Sequence, residues 1–177
     1  MLRMFNRLRF RWHLIEKDTR VFVAGFVVIL GGLIMLSITM GGDADGTKEK
    51  RCLALNIYHE ARGESEAGQV AVATVALNRV AHKRYPDTLC DVIYEYNWNP
   101  RLKAHIDQFS WTHDKHTNAP GDEKAWSLAL KIAEKVMKDG GDQTLHGVLH
   151  YHASTVNPGW ANKLQRVKTI GQHQFYR

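Results

Sequence analysis

Two neighbouring stretches near the middle of the chain carry apolar residues at helical spacing. Between 53 and 61, and again between 70 and 80, an apolar residue recurs every three or four positions. This period predicts two helices joined at Gly63. Ser65 is the predicted N-cap of the second helix, and Glu66 lies in its first turn, where the helix dipole favours a negative charge.

The pattern predicts two more helices with a long loop between them. Asp87 is the predicted N-cap of a helix whose apolar stripe runs from 89 to 96. Residues 97–121 show little periodicity and are rich in Trp, His, Asn and Pro, which is typical of a long functional loop. A helix over about 122–138 follows, and the glycine pair at 140–141 is its predicted end.

After the glycine pair the pattern changes to short strands. The residues at 148–152 and at 167–176 predict two strands, which the turn-forming Asn-Pro-Gly at 157–159 separates. Helices followed by short strands along one chain predict an α+β fold, mainly helical with a small β-sheet.

Residues 21–40 form an uncharged apolar stretch of 20 residues, long enough to cross a membrane as one transmembrane helix. In residues 1–20, six basic side chains outnumber two acidic ones, so the positive-inside rule places the N-terminus in the cytoplasm and the rest of the chain outside. A cleaved signal peptide has a shorter apolar core, and a buried core helix needs an amphipathic face. An uncleaved signal anchor is therefore the preferred interpretation, and its glycines leave later release from the bilayer open.

The length of 177 residues suits one compact domain with an appendage. The chain divides into a basic cytoplasmic segment (1–20), a signal anchor (21–40), a polar, glycine-rich flexible linker (41–50) and one domain (51–177). The formal net charge is +6, and a basic surface favours an anionic polymer. The basic run beside the anchor is explained by topology, so nothing in the sequence indicates binding to nucleic acid.

The chain contains two cysteines, Cys52 and Cys90, both outside the apolar stretch. In an exported domain such a pair predicts a disulfide. The disulfide would close a loop of 38 residues and contribute at most about 4 kcal/mol in the chain-entropy model. Two unpaired buried thiols are the alternative.

Ten histidines raise the question of a metal site. His113 and His116 lie three positions apart, and His150 and His152 lie two apart. Zinc sites usually use three or four ligands, and no cysteine or carboxylate cluster accompanies these pairs in the sequence. We therefore expect neither a metal nor another cofactor.

Two acids flank the predicted joint between the first two helices. Glu60 lies among Ile57, Tyr58 and Ala61, whose apolar wall would raise its pKa and keep it protonated near neutral pH. A protonated carboxylic acid at a cleft is what cleavage of a glycosidic bond requires. Glu64, four residues on, is a second catalytic carboxylate at the short separation of retaining glycosidases, or it pairs with Arg62 or Arg79, or it orients the loop.

Several short segments follow one another in a characteristic order. The first are IYHEARGE at 57–64, GQVAVA at 68–73 and LNRV at 77–80. The later ones are YPDTLC at 85–90, QFSW at 108–111, YH at 151–152 and IGQHQFY at 170–176. Together they resemble the SleB-type cell wall hydrolases, which are the spore-cortex-lytic enzymes and their bacterial and phage relatives. The resemblance covers about 52–177.

The resemblance implies a lysozyme-like fold and an enzyme that cleaves peptidoglycan between N-acetylmuramic acid and N-acetylglucosamine. Glu60 matches the general acid of the family. Because no second carboxylate is firmly assigned, the one-acid mechanism of a lytic transglycosylase, which leaves a 1,6-anhydro sugar, is preferred over hydrolysis by a muramidase. The anchor would hold the domain at the inner membrane, facing the periplasm, as in some phage endolysins.

The same resemblance implies the substrate-binding residues Gln108, Ser110, Trp111, Tyr151 and His152. Trp111 either lies flat against a sugar face or packs in the core. Tyr151 and His152 have the spacing to point to opposite faces of a strand. The expected partners are peptidoglycan and, through the anchor, the membrane, and the protein is expected to act as a monomer.

Two other classes of function compete with the glycosidase. One is a catalytically degenerate module that binds or anchors to peptidoglycan, although Glu60 stands in an intact motif. The other is a metal-dependent amidase or peptidase acting on the stem peptides, which only the histidine count suggests.

Overall fold

The computed structural model describes residues 26–32, 45–99, 103–112 and 119–177. The chain divides into two units, Met1–Asp45 and Gly46–Arg177. In the first unit, residues 26–32 are helical, and the rest of the predicted anchor, like the basic segment before it, lies outside the described residues. Within the described ranges, no helix is both long enough and apolar enough to cross a membrane. The signal anchor stays a prediction.

Among the described residues of the second unit, four α-helices form most of the regular structure. Helix α1 covers 45–61, α2 covers Glu66–Val80, α3 covers Leu89–Ile93 and α4 covers Glu123–Asp139. The predicted N-cap of α2 is confirmed, because the Ser65 hydroxyl accepts a hydrogen bond from the Gly68 amide at 3.3 Å. The pair of helices expected from the apolar pattern is therefore present.

The predicted linker at 41–50 is wrong in its second half, because 45–50 already form the first turns of α1. Tertiary contacts order these polar residues. The Glu49 carboxylate accepts hydrogen bonds from the amides of Leu89 and Cys90 and so holds the start of α3. Lys50 pairs with Glu134 of α4 at 3.5 Å. Composition alone does not reveal such contacts.

Helix α3 is shorter than predicted and begins one residue later. Its N-cap is Thr88, not Asp87, and the Thr88 hydroxyl accepts from the Asp91 amide at 3.1 Å. The helix ends at Ile93, and Tyr96 lies in strand β1 (Tyr96–Asn99) instead of on the helical stripe. The backbone from Tyr96 on pairs with another strand, which the apolar spacing could not show.

The predicted long loop over 97–121 contains regular structure. Strand β2 (Ala104–Asp107) pairs antiparallel with β1, with Tyr96 opposite Asp107. A short 3₁₀ helix, Ser110–Thr112, follows. Residues 100–102 and 113–118 of this segment lie outside the described part of the chain.

Helix α4 agrees with its prediction. Asp122 is the N-cap, and its carboxylate accepts from the Ala125 amide at 3.0 Å. Gly140 ends the helix with φ +80°, a left-handed conformation that glycine adopts without a steric penalty.

Strand β3 covers His150–Ala153, β4 covers Arg166–Ile170 and β5 covers His173–Tyr176. They form one antiparallel sheet in the order β3-β5-β4. The single strand predicted over 167–176 is therefore wrong, because the chain reverses at Gly171, whose φ is +56°. The predicted small sheet is present, and the α+β class is confirmed.

Helix α2 lies at the centre of the core. Cys52, Leu53, Ile57 and further apolar residues of α1, α3 and α4 pack against one side of it. Val148 and Phe175 pack with α2 residues on the side of the sheet. The disulfide between Cys52 and Cys90 is confirmed, with the two Cα atoms 5.2 Å apart. It joins α1 to α3 two turns before Glu60.

Candidate active site

Glu60 lies in the last turn of α1 and is partly buried. Burial raises the pKa of the Glu60 carboxyl above its ordinary value. Three neighbours act in the opposite direction, namely the hydrogen bond from Tyr151, the side chain of Trp111 and the positive charge of Arg79. Burial thus favours the protonated carboxyl group, and the charged form still has partners once the proton has left.

Tyr151 reaches Glu60 from strand β3. Its hydroxyl donates a hydrogen bond to Glu60 Oε2 at 3.3 Å. Burial, and next the negative charge of Glu60, raise the pKa of Tyr151 well above its ordinary value, so the hydroxyl stays protonated and remains a donor. Tyr151 is therefore a hydrogen-bond partner of Glu60, and its predicted contact with sugar stays a prediction.

Trp111 lies in the 3₁₀ helix and packs under the site. Its ring stacks on His59 at a centroid distance of 4.5 Å and an interplanar angle of 16°. Tyr94 and Phe109 contact it from other sides, at 5.9 and 6.3 Å. This arrangement agrees with the packing alternative for Trp111, whose side chain also lowers the pKa of Glu60.

The two other residues of the QFSW segment are less defined. Gln108 is partly buried, and its backbone N–H donates to the Glu95 backbone carbonyl at 2.8 Å. The Ser110 side chain lies outside the described part of the structure. The predicted sugar contacts of Gln108 and Ser110 stay predictions.

Arg79, in the last turn of α2, is a buried cation with 4% of its surface exposed. Its Nε donates to the Leu149 carbonyl at 2.9 Å, and its guanidinium lies over the rings of Tyr85 and Phe109 at 5.5 and 5.7 Å. The positive charge lowers the pKa of Glu60. Sequence reasoning missed this role, although Arg79 stands at helical spacing from buried Val72, and a charge on an apolar stripe is a signal.

Glu64 does not pair with an arginine among the contacts that the structure describes. Its carboxylate accepts from the Gln172 amide and lies 3.7 Å from Nδ1 of His173. The guanidinium of Arg62 instead lies over the Tyr58 ring at 5.0 Å. Glu64 therefore contacts the turn between β4 and β5, which agrees with the predicted role in orienting a loop.

His152 lies on the face of β3 opposite Tyr151, as its spacing predicts. One ring nitrogen is 2.9 Å from the Ala153 carbonyl and the other is 2.9 Å from the Tyr176 hydroxyl. The His152 ring stacks on Tyr176 at 5.2 Å and meets Trp160 edge-on at 5.5 Å. Both ring nitrogens therefore have protein partners, and the predicted contact of His152 with substrate stays a prediction.

The histidine pairs are candidate metal ligands by their spacing alone. Among the residues that the structure describes, no three or more His, Cys, Asp or Glu side chains form a group that could hold a metal ion. His113 and His116 lie outside those residues. His150 and His152 both contact Trp160.

An open groove of about 1040 Å³ runs between Arg62 and the first half of α4. Lys124, Leu128 and Lys131 are among its lining residues. Glu60 does not line this groove, so the groove gives no evidence about where the candidate acid acts.

Comparison with known proteins gives a consistent family. A family model described as cell wall hydrolase matches residues 63–176. The chain is 32% identical over 123 residues to the spore cortex-lytic enzyme of Oceanobacillus iheyensis and 31% identical over 126 residues to that of Bacillus cereus. These matches cover 70% of this chain and 39% and 42% of the two relatives. The chain thus spans about two fifths of the length of these curated relatives.

Two solved structures are similar in fold and sequence. The catalytic domain of the Bacillus cereus SleB protein has a TM-score of 0.54 and 31% identity, over 74% of this chain and 91% of that domain. The catalytic domain of the germination-specific lytic transglycosylase SleB from Bacillus anthracis has a TM-score of 0.54 and 32% identity, over 73% and 93%. The similarity therefore extends over nearly all of each solved catalytic domain.

Proposed function

Because this chain belongs to the cell wall hydrolase family, we propose that it cleaves the glycan strands of peptidoglycan and that Glu60 is its general acid. The observation that carries the proposal is the environment of Glu60. Burial raises its pKa, while Tyr151, Trp111 and Arg79 stabilise its charged form. A general acid needs both properties, because it must hold a proton before the reaction and release it during the reaction.

We further propose the one-acid route of a lytic transglycosylase, cleaving between N-acetylmuramic acid and N-acetylglucosamine. Glu60 gives its proton to the glycosidic oxygen as the bond from that oxygen to C1 of muramic acid breaks. The C6 hydroxyl oxygen of the same sugar then bonds to C1, and its proton returns to Glu60. The product is a 1,6-anhydro sugar, no water is consumed, and the acid is regenerated.

Two observations support this route over hydrolysis. Glu64, the nearest acid along the chain, is engaged by the Gln172 amide and lies against His173, which leaves it poorly placed to activate water. The Bacillus anthracis domain that this chain resembles is a lytic transglycosylase by its description. A muramidase with a second carboxylate is the alternative outcome.

The Cys52–Cys90 disulfide supports a place outside the cytoplasm, because disulfides persist in oxidising compartments. We propose that the domain faces the periplasm, held at the inner membrane by the predicted anchor at 21–40. In the periplasm the domain would act on peptidoglycan as a monomer. Gln108 and Ser110 are the proposed sugar contacts.

Digestion of purified sacculi by the full-length protein is expected to yield 1,6-anhydromuramic acid ends. The expectation follows from the return of the C6 hydroxyl proton to Glu60. Mass spectrometry of the soluble fragments measures it, because an anhydro end is one water lighter than a reducing end. A parallel digest with a known muramidase supplies the reducing-end control. Fragments with only reducing muramic acid ends would transfer the assignment to hydrolysis.

Tyr151→Phe is expected to lower kcat/KM by about tenfold, the range for one hydrogen bond to a charged group. The Tyr151 hydroxyl lowers the pKa of Glu60, so its loss raises that pKa further. Activity is lost at high pH when Glu60 deprotonates, and the basic limb of the pH profile should therefore move to higher pH. A pH series of kcat/KM measures this shift.

Tyr176→Phe is the matched control for that series. Its hydroxyl lies on the other face of the same sheet and contacts His152 and Gln174. The basic limb should keep its position in this variant. A limb that stays in place in Tyr151→Phe, or that moves equally in both variants, would contradict the role of the Tyr151 hydrogen bond.

A further inference from the structure

The turn between β4 and β5 is held by a side chain from the turn that follows α1. The Gln172 amide donates to Glu64 Oε2 at 3.2 Å and to Oε1 at 3.4 Å. Gly171 precedes it with φ +56°, and a Cβ atom there would overlap Glu64 Oε2. Only glycine leaves room for the carboxylate at this point. The Glu64 side chain is 9% exposed, so it is enclosed by this turn.

The backbone around Glu64 is fixed as well. The Glu64 amide donates to the Ala61 carbonyl at 2.9 Å, which caps the end of α1. The Glu64 carbonyl accepts from the side-chain amide of Gln69 at 3.2 Å. A Cβ atom on Gly68 would lie 2.9 Å from the Glu64 Cβ, so the first turn of α2 also packs closely here. The carboxylate is therefore aimed at the sheet from a rigid base.

Beyond the turn, Glu64 contacts His173, the first residue of β5. Glu64 Oε1 lies 3.7 Å from His173 Nδ1, and only 11% of the His173 side chain is exposed. The His173 ring meets the Tyr151 ring edge-on at a centroid distance of 5.4 Å. Tyr151 in turn donates to Glu60. Contacts thus run from Glu64 through His173 and Tyr151 to Glu60.

We propose that Glu64 is a positioning residue that holds the Gly171–Gln172 turn and His173 so that Tyr151 keeps its hydrogen bond to Glu60. The inference rests on the proposed role of Glu60 as general acid. It assigns the second acid of the motif a task that needs no contact with the sugar.

Several titratable or charged groups surround these residues. Glu60 faces Tyr151 from β3 and Arg79 from α2. His173 faces Glu64, from the turn after α1, and His152 from β3. Burial lowers the pKa of His173 most, Glu64 opposes this, and His152 adds to it. His173 is thus mainly neutral near neutral pH. The backbone amide of Gln172 is then the main hydrogen-bond donor to the Glu64 carboxylate among the described contacts.

The test compares Glu64→Gln, Tyr151→Phe and the double variant in the full-length protein. We expect Glu64→Gln to lower kcat by about tenfold with KM nearly unchanged, because the variant loosens a partner of the acid and not a sugar contact. The basic limb of its pH profile should move to higher pH, in the same direction as in Tyr151→Phe. In the double variant, Glu64→Gln should add no further movement, because both changes act through one hydrogen bond.

Glu66→Gln is the matched control. Glu66 is two residues away, carries the same charge and pairs with Lys135 on the surface at 3.5 Å. Its kcat and pH profile should equal those of the unaltered protein. His173→Ala provides a second route if Glu64→Gln folds poorly, because it removes the ring that contacts Tyr151 and leaves the bond from Gln172 to Glu64. It should also move the basic limb to higher pH.

Three results would overturn the proposal. The first result is an activity loss in Glu64→Gln and His173→Ala that equals the loss of folded protein, with the basic limb of the pH profile unmoved in both variants. Glu64 would then be purely structural. The second result is a loss of activity as complete as in Glu60→Gln, together with loss of the fall in activity at low pH. A carboxylate that must be ionised for catalysis causes such a fall, so this result would make Glu64 a second catalytic carboxylate. Unchanged activity in Glu64→Gln would also exclude it. Full activity in Glu60→Gln would instead reject the proposed function, so the two failures are distinguishable.

Discussion

Glu60→Gln is expected to lower cleavage of glycan strands by at least about a hundredfold. Glutamine has nearly the same size but cannot donate a carboxylic acid proton, so the proton transfer to the leaving oxygen is lost. The fold should persist, because the Tyr151 hydroxyl can still donate to the oxygen of the glutamine side chain. Release of soluble fragments from purified sacculi measures the activity, and co-sedimentation with sacculi measures wall binding.

Glu123→Gln is a suitable control for this experiment. Glu123 is an exposed acid in the first turn of α4, and its variant should cleave at the normal rate. Normal cleavage by Glu60→Gln would reject the proposed acid. If the unaltered protein binds sacculi but releases no fragments under any condition, the protein is instead a binding module with a degenerate site.

Reduction of the Cys52–Cys90 disulfide is expected to cost up to about 4 kcal/mol of unfolding free energy, from the 38-residue loop that it closes. The loss is large for a domain of this size, since native domains are stable by only about 5–15 kcal/mol. Activity should fall with it, because the disulfide joins α3 to the helix that carries Glu60. Urea unfolding with and without reductant measures the change.

A variant with both cysteines replaced by alanine is the control, and its unfolding midpoint should not respond to reductant. Both cysteines are buried, so the variant also reports the packing cost of losing the sulfur atoms. Thiol labelling should establish that reduction is complete. An unfolding midpoint that is identical before and after complete reduction would contradict the expected stabilisation.

The sequence by itself predicted the helical pair, the Ser65 cap, helix α4 with its glycine end, and the α+β class. These features depend on residues that are close in the chain. Each feature is specified within one or two helical turns. The signals are the 3.6-residue apolar period, the hydroxyl three residues before the amide that it caps, and the glycine at the helix end. The motif around Glu60 is local in the same sense, which is why the candidate acid could be named from the sequence.

The sequence did not predict where helices give way to strands. Helix α3 stops at Ile93 because the backbone after it pairs with β2, and the strand expected over 167–176 folds back at Gly171. The early turns of α1 are ordered by Glu49 and Lys50, which contact α3 and α4. Each of these outcomes depends on a partner that lies elsewhere in the chain.

The chemistry of the site was decided only by the tertiary structure. Tyr151 lies 91 positions from Glu60, and Gln172 lies 108 positions from Glu64. Arg79 lowers the pKa of Glu60 only because α2 packs against α1. Arg79 is buried there and Glu60 is partly buried. The pKa of an acid depends on desolvation and on charges in space, and neither quantity is local in sequence. The sequence therefore named the candidate acid, and folding supplied the groups that surround its carboxyl.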